Sequence, residues 1–300
     1  SDEIKIIGKN GVVVLVNGHR INLDGKDLDM YLRTLPSENV SKIELVTNPS
    51  AEFDAEGNCG VINIILKSKP VGFDGNVHTV LTQRSHFSAE EGIGLSFSSG
   101  NFSVEYKINN SNEKRRQIVQ NTYSYPDYMR FTTDNSYDIL GQNLNSNYQL
   151  GDLNLGFFAT LNNSRSKAHQ MGQMTFNADA CPSNSYSESN HDKYRLETIS
   201  PYVDWKLDSL GKKVTVNYNY IHVIDKINQN FDSSTAHNFS NSNNDYSYIV
   251  NTLSADLNLP FTWLNFELGG KYSHFRTNNV SEFGSRNGFL YKETVTAFYA

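Results

Sequence analysis

From about residue 72 onward the chain repeats one pattern that leaves few folds open: apolar and polar residues alternate with a period of two, segment after segment. Phe102, Val104, Tyr106 and Ile108 alternate with Ser103, Glu105, Lys107 and Asn109. Leu153, Leu155, Phe157, Ala159 and Leu161 repeat the pattern, as do Ile93, Leu95 and Phe97. Val214, Val216, Tyr218 and Tyr220 alternate with Thr215, Asn217 and Asn219. Leu253, Ala255, Leu257 and Leu259 are answered by Leu264, Phe266, Leu268 and Tyr272 after one turn. Successive side chains of a strand point to opposite faces, so each segment reads as a strand with one apolar and one polar face. About ten such strands are predicted between 72 and 300.

The connections narrow the choice. Tight turns are expected at Ser99-Gly100-Asn101, Gly151-Asp152, Ser209-Leu210-Gly211-Lys212 and Leu259-Pro260-Phe261. Between them lie polar stretches at 113–135, 164–192, 228–245 and 278–287, predicted as long loops. A soluble sandwich has no reason to gather its long loops at one end. A transmembrane barrel does, with short periplasmic turns and long extracellular loops. Trp205 lies just before one tight turn and Trp263 just after another, with Phe261 and Phe102 at similar heights. That arrangement fits an aromatic girdle at a membrane interface; the alternative is a hydrophobic staple in a soluble hairpin.

Composition excludes several classes. Aromatic residues make up 12% of the chain, with 17 Tyr and 17 Phe, which a disordered polymer would lack. The 37 Asn and 32 Ser suit strands with polar extensions rather than a helical enzyme. A net charge of −6 offers no basic footprint for nucleic acid. Cys59 and Cys181 form neither a disulfide framework nor a zinc pattern. The apolar run Val12–Val16 is far shorter than the roughly 20 residues of a membrane helix, which leaves a β-barrel open.

Residues 1 to 70 read as a separate α+β unit. It has a strand at Val12–Val16, a turn at Asn17-Gly18, and a helical stretch over 27–35 carrying Leu28, Tyr31, Leu32 and Leu35. Strands at 42–47 and 61–67 follow, on either side of a polar loop. The run from Leu35-Pro36 through Lys42-Ile43-Glu44-Leu45-Val46, Asn48-Pro49-Ser50-Ala51, Gly57-Asn58-Cys59-Gly60 and Val61-Ile62-Asn63-Ile64 resembles the C-terminal half of the plug domain of TonB-dependent outer-membrane receptors. Val14-Leu15-Val16-Asn17-Gly18-His19-Arg20 resembles the earlier strand and turn of the same plug. Asn-Pro in place of Gly-Pro brings the chain nearest to the Bacteroidetes-type outer membrane β-barrel branch.

The resemblance implies a fold dominated by antiparallel β-structure. It would be a partial transmembrane barrel over 71–300, about ten strands of an expected 22, with a plug segment over 1–70. The chain starts without Met and stops inside a strand-like run, and is read as a piece of something longer. The implied function is TonB-dependent import of a bulky nutrient (an iron chelate, vitamin or glycan) across the bacterial outer membrane. Implied partners are outer-membrane lipid, the TonB complex through a segment outside this chain, the extracellular ligand and a surface lipoprotein; no cofactor and no enzyme activity are implied. The alternatives are a barrel of the same descent serving as an adhesin or assembly partner, and a soluble β-rich binding module. The plug-motif residues Asn17, Gly18, Arg20, Glu44, Asn48, Pro49, Gly57, Gly60 and Asn63 are expected to serve folding. Tyr123, Tyr125 and Tyr128 lie in a Tyr-rich polar stretch suited either to stacking on a ligand or to an outer aromatic rim. His169, His191 and His237 lack metal-ligand spacing.

Overall fold

The computed structural model describes residues 6, 11–21, 28, 31–32, 40–46, 59–67, 71–122, 128–175, 184–233 and 238–300. The first of two sheets holds β1 (Gly11–Val16), β2 (His19–Ile21), β3 (Val40–Val46) and β4 (Cys59–Leu66), in the order β2-β1-β4-β3. β1 and β4 run parallel, whereas β2 and β3 pair antiparallel to their neighbours. A strand apolar at every position must be covered on both faces. One face of β1 places Val14 and Val16 against Ile21, Leu28, Tyr31 and Ile64; the other places Val13 and Leu15 with Val61. Leu28, Tyr31 and Leu32 are helical, within the stretch expected at 27–35. β1 turns into β2 at Asn17-Gly18 with φ of 53° and 82°. Two left-handed residues form the turn whose twist matches a hairpin, and Asn-Gly is the dipeptide that adopts it at least cost.

The second sheet is a meander of ten antiparallel strands in which each pairs with the next: β5 (Gly72–Gln83), β6 (Phe87–Ser99), β7 (Phe102–Thr122), β8 (Tyr128–Leu150), β9 (Leu153–Thr175), β10 (Asn184–Lys206), β11 (Lys213–Ser233), β12 (Asn238–Pro260), β13 (Asn265–Phe283) and β14 (Ser285–Tyr299). One row of residues crosses eight strands without a break: Phe102, Tyr148, Leu155, Val203, Val216, Ala255, Gly270 and Phe298. The next row belongs to the opposite face and reads Ser103, Asn147, Gly156, Tyr202, Asn217, Ser254, Lys271 and Ala297. The small sheet lies against this second, polar face. Ten strands, an apolar outer face and a polar inner one make this sheet a length of barrel wall, as the alternation predicts.

Two tight hairpins, at 84–86 and Gly284, close one end of the wall, and the expected tight turns fall at Gly100-Asn101, Gly151-Asp152, 207–212 and 261–264, all at the other end. The girdle aromatics cluster there on the outer face, with Trp205 51% and Trp263 82% exposed. The long loops require correction. β7 and β8 stay paired up to Thr122 and Tyr128, β9 and β10 up to Met174 and Asn184, and β11 and β12 up to Ser233 and Asn238. Most of 113–135, 164–192 and 228–245 is therefore strand, and the 278–287 stretch is one hairpin closed at Gly284, with Phe283 opposite Ser285. Strands of 21 to 23 residues are twice the length that crosses a hydrocarbon layer, about 9–11 residues. Their far halves are wetted on both faces, so they carry no apolar alternation for a pattern to catch.

Candidate functional site

Two contacts between the small sheet and the wall stand out among the described residues, one around Phe158 and one around Tyr202 and Asp204. The first is apolar. Phe158 points inward from β9 and packs edge-on against Tyr31, ring centroids 5.3 Å apart, joining the core around Val14, Leu28 and Ile64. Burial pushes the Tyr31 hydroxyl well above the ordinary phenol range, with Glu105 on the wall adding to the effect.

The second is polar and centres on Asp204, a buried carboxylate on β10. Its oxygens accept from His19 Nε2 at 3.1 Å, Lys213 Nζ at 2.9 Å and Thr215 Oγ1 at 2.9 Å. The His19 ring also stacks on Tyr202, centroids 3.5 Å apart at 23°. Asn147 donates to the Tyr202 hydroxyl at 3.3 Å from two strands away. The β1–β2 turn sets the position of His19, since the residue directly after Asn17-Gly18 is where the hairpin first reaches the wall. Around this contact opens a cleft of about 220 Å³ between the sheets, lined by Leu15, Arg20, Asn217, Asn219, Thr252 and Ser254, among others.

Tyr202 lies flat because its cross-strand partner is Gly156. A Cβ built at Gly156 would meet the Tyr202 ring at 1.9 Å, so any side chain there must evict it. Gly156→Val is therefore expected to destabilise the protein by about 1–3 kcal/mol and to unseat His19. Denaturant titration of the refolded protein checks it; unchanged stability would mean that the ring can relocate freely.

Four residues of the sequence motif come together behind His19. The Asn63 amide oxygen accepts from the Gly18 backbone at 3.0 Å, and its nitrogen donates to Glu44 Oε2 at 2.8 Å. The Asn17 amide oxygen accepts from the Leu66 backbone at 2.9 Å. Lys42, 2.6 Å from Glu44, holds that carboxyl below the usual carboxylate range, with help from Asn63. Asn63, the polar interruption of an apolar strand, thus ties the turn that carries His19 to β3. Arg20 follows His19 on β2 and lines the cleft, and Gly60 is buried in β4 opposite Val12. Asn48, Pro49, Gly57, Tyr123, Tyr125 and His237 lie outside the described residues, while Tyr128 opens β8 opposite Thr122. Among the described residues no group of three His, Cys, Asp or Glu is placed to hold a metal ion.

Residues 205–300 match the model of the outer membrane protein beta-barrel family. The match covers about a third of the chain, and the wall folds as a length of outer-membrane β-barrel. Its girdle and its apolar outer face sit in the bacterial outer membrane. No curated protein matches the chain in sequence. Among solved structures it is similar to the ferric yersiniabactin uptake receptor FyuA from Yersinia pestis, at 12% identity and a TM-score of 0.46, over 96% of this chain and 52% of that one. It is also similar to the siderophore receptor PiuA from Acinetobacter baumannii (10%, 0.37, 95% and 53%) and to the alcaligin outer-membrane receptor FauA from Bordetella pertussis (10%, 0.33, 95% and 50%). The chain spans about half the length of these structures.

Proposed function

We propose that this outer-membrane chain is part of a TonB-dependent receptor that imports a bulky nutrient by displacing the small sheet from the wall. The observation that carries the reading is the seating of the small sheet on the polar inner face. One aromatic contact at Phe158 and one ionic cluster at Asp204 hold it there, beside an open cleft. A gate needs such a seat, specific enough to close and narrow enough to be pulled away. Motif residues Asn17, Gly18, Glu44 and Asn63 organise the turn that presents His19, which supports a positioning role for them rather than ligand contact. The nutrient would enter from the end opposite the girdle, between the long hairpins. The reading is tested by uptake. A strain lacking the gene is expected to lose accumulation of one iron chelate, vitamin or glycan from a labelled panel. Restoring the gene restores it only while TonB is present. Uptake that persists without TonB would overturn energy coupling, and unchanged uptake across the panel would favour the adhesin or assembly role.

A further inference from the structure

In the half of the wall away from the girdle, charge is sorted by sign between the two faces of β10–β14. The ladders keep one register from β9 to β14, so alternation assigns each residue to a face. Among the described residues, the lysines and arginines in this half of the five strands are Lys193, Arg195, Lys226, Arg276, Arg286 and Lys292. All six stand on the outer face. The inner face at the same height carries Glu188, Asp192, Asp225 and Glu293 and no lysine, arginine or histidine.

That inner face is also short of hydrogen-bond donors. Asn190 donates its side-chain nitrogen to Glu188 at 3.0 Å, and Ser166 donates its hydroxyl to Asp192 Oδ2 at 2.7 Å. Acceptors are left over. Asp192 Oδ1 and the amide oxygens of Asn190, Asn244 and Asn279 are shut off from water and accept from no donor. Thr198, 4% exposed on the same face of β10, likewise has a hydroxyl without a partner. The orphaned oxygens lie close together. Asp192 and Asn244 share one cross-strand row through Ile227, and Tyr194, Asp225, Tyr246 and Asn279 share the next. Buried acceptors left unmet are costly, so a ligand that brings donors completes such a surface. Beside it the rings of Tyr246 and Tyr248 stand 5.7 Å apart, tilted to each other.

We infer that the inner face of β10–β13 binds an organic cation, a molecule bearing several protonated amino or guanidinium groups. The inference rests on the import reading and adds to it the charge of the cargo. Ammonium and guanidinium groups carry donors and no acceptor, which is the complement of a surface whose free groups are all acceptors. A neutral sugar would bring an acceptor with every hydroxyl. An anionic chelate would meet carboxylates with no cation on the wall to offset them. Tyrosine rings attract positive charge over their faces. A concave wall lined by one sign also focuses its field and concentrates counter-charge.

The test titrates the full-length protein, purified from outer membranes in detergent, with labelled octalysine, octaserine and octaglutamate. The parent is expected to bind octalysine on the order of tenfold more tightly than either other peptide, a comparison that needs no variant. Glu188→Gln/Asp192→Asn is expected to bind octalysine about tenfold more weakly than the parent. Asp232→Asn/Asp245→Asn removes the same charge from the outer face and is expected to bind like the parent. Octaserine or octaglutamate bound as tightly as octalysine, an inner-face variant that binds like the parent, or equal losses in both variants would each overturn the assignment. Binding in detergent involves no TonB, so a failure here leaves energy-coupled import standing, and TonB-independent uptake would leave the binding result standing.

Discussion

Replacing Asp204 by alanine is expected to cost about 3 kcal/mol and to release the small sheet from the wall. The residue is buried, and three donors converge on it: His19 Nε2, Lys213 Nζ and Thr215 Oγ1. Removing the acceptor strands all three, and breaking a buried ion pair from one side typically costs 3–5 kcal/mol. The lower end applies because the Lys213 side chain is 40% exposed and can return to water. Asp204→Asn keeps an acceptor for Thr215 and His19 and should lose less. Urea unfolding of the full-length protein separates the three forms. An alanine variant as stable as the parent would mean that the junction contributes nothing to closure.

The second large effect lies on the opposite face. Val216→Arg is expected to cost about 2–4 kcal/mol on refolding into lipid vesicles, because an arginine near the bilayer midplane on the lipid side has no partner. Val216 sits in the apolar row between Val203 and Ala255. Its neighbour Asn217 lines the inner cleft, and Asn217→Arg should cost far less there. Equal losses at both positions would reverse the assignment of the two faces.

The period-two alternation made the ten strands and both faces legible, because hydrocarbon and water lie on opposite sides of the same ladder. It failed for 113–135, 164–192 and 228–245 for a related reason. Above the membrane both faces meet water, so the backbone ladder persists with no apolar signal. The Asn17-Gly18 turn and the Val12–Val16 strand were readable from local chemistry. The interruption at Asn63 hinted at the bond that the structure places on Gly18.

The junction itself was hidden. His19 and Asp204 lie far apart in sequence, and although His19 falls within the plug-like strand and turn, nothing in that motif points to Asp204. Signals did exist in retrospect. Phe158 follows Phe157 and so puts an aromatic ring on the polar face. Asp204 is an acidic residue set between Val203 and Trp205 close to the girdle, on the inner face. Gly156 interrupts a strand directly opposite Tyr202. Phe158 and Gly156 are exceptions to their own face's rule, and all three sit where the small sheet touches the wall.

The most direct measurement of displacement joins the two sheets covalently. His19→Cys and Tyr202→Cys, whose parent rings stack 3.5 Å apart, are linked in whole cells by a short reagent with two thiol-reactive ends. Surface binding of the labelled nutrient should persist, and its uptake should fall to the level of cells lacking TonB, with either single cysteine unaffected by the reagent. Undiminished uptake through the cross-linked protein would contradict displacement of the small sheet as the gate.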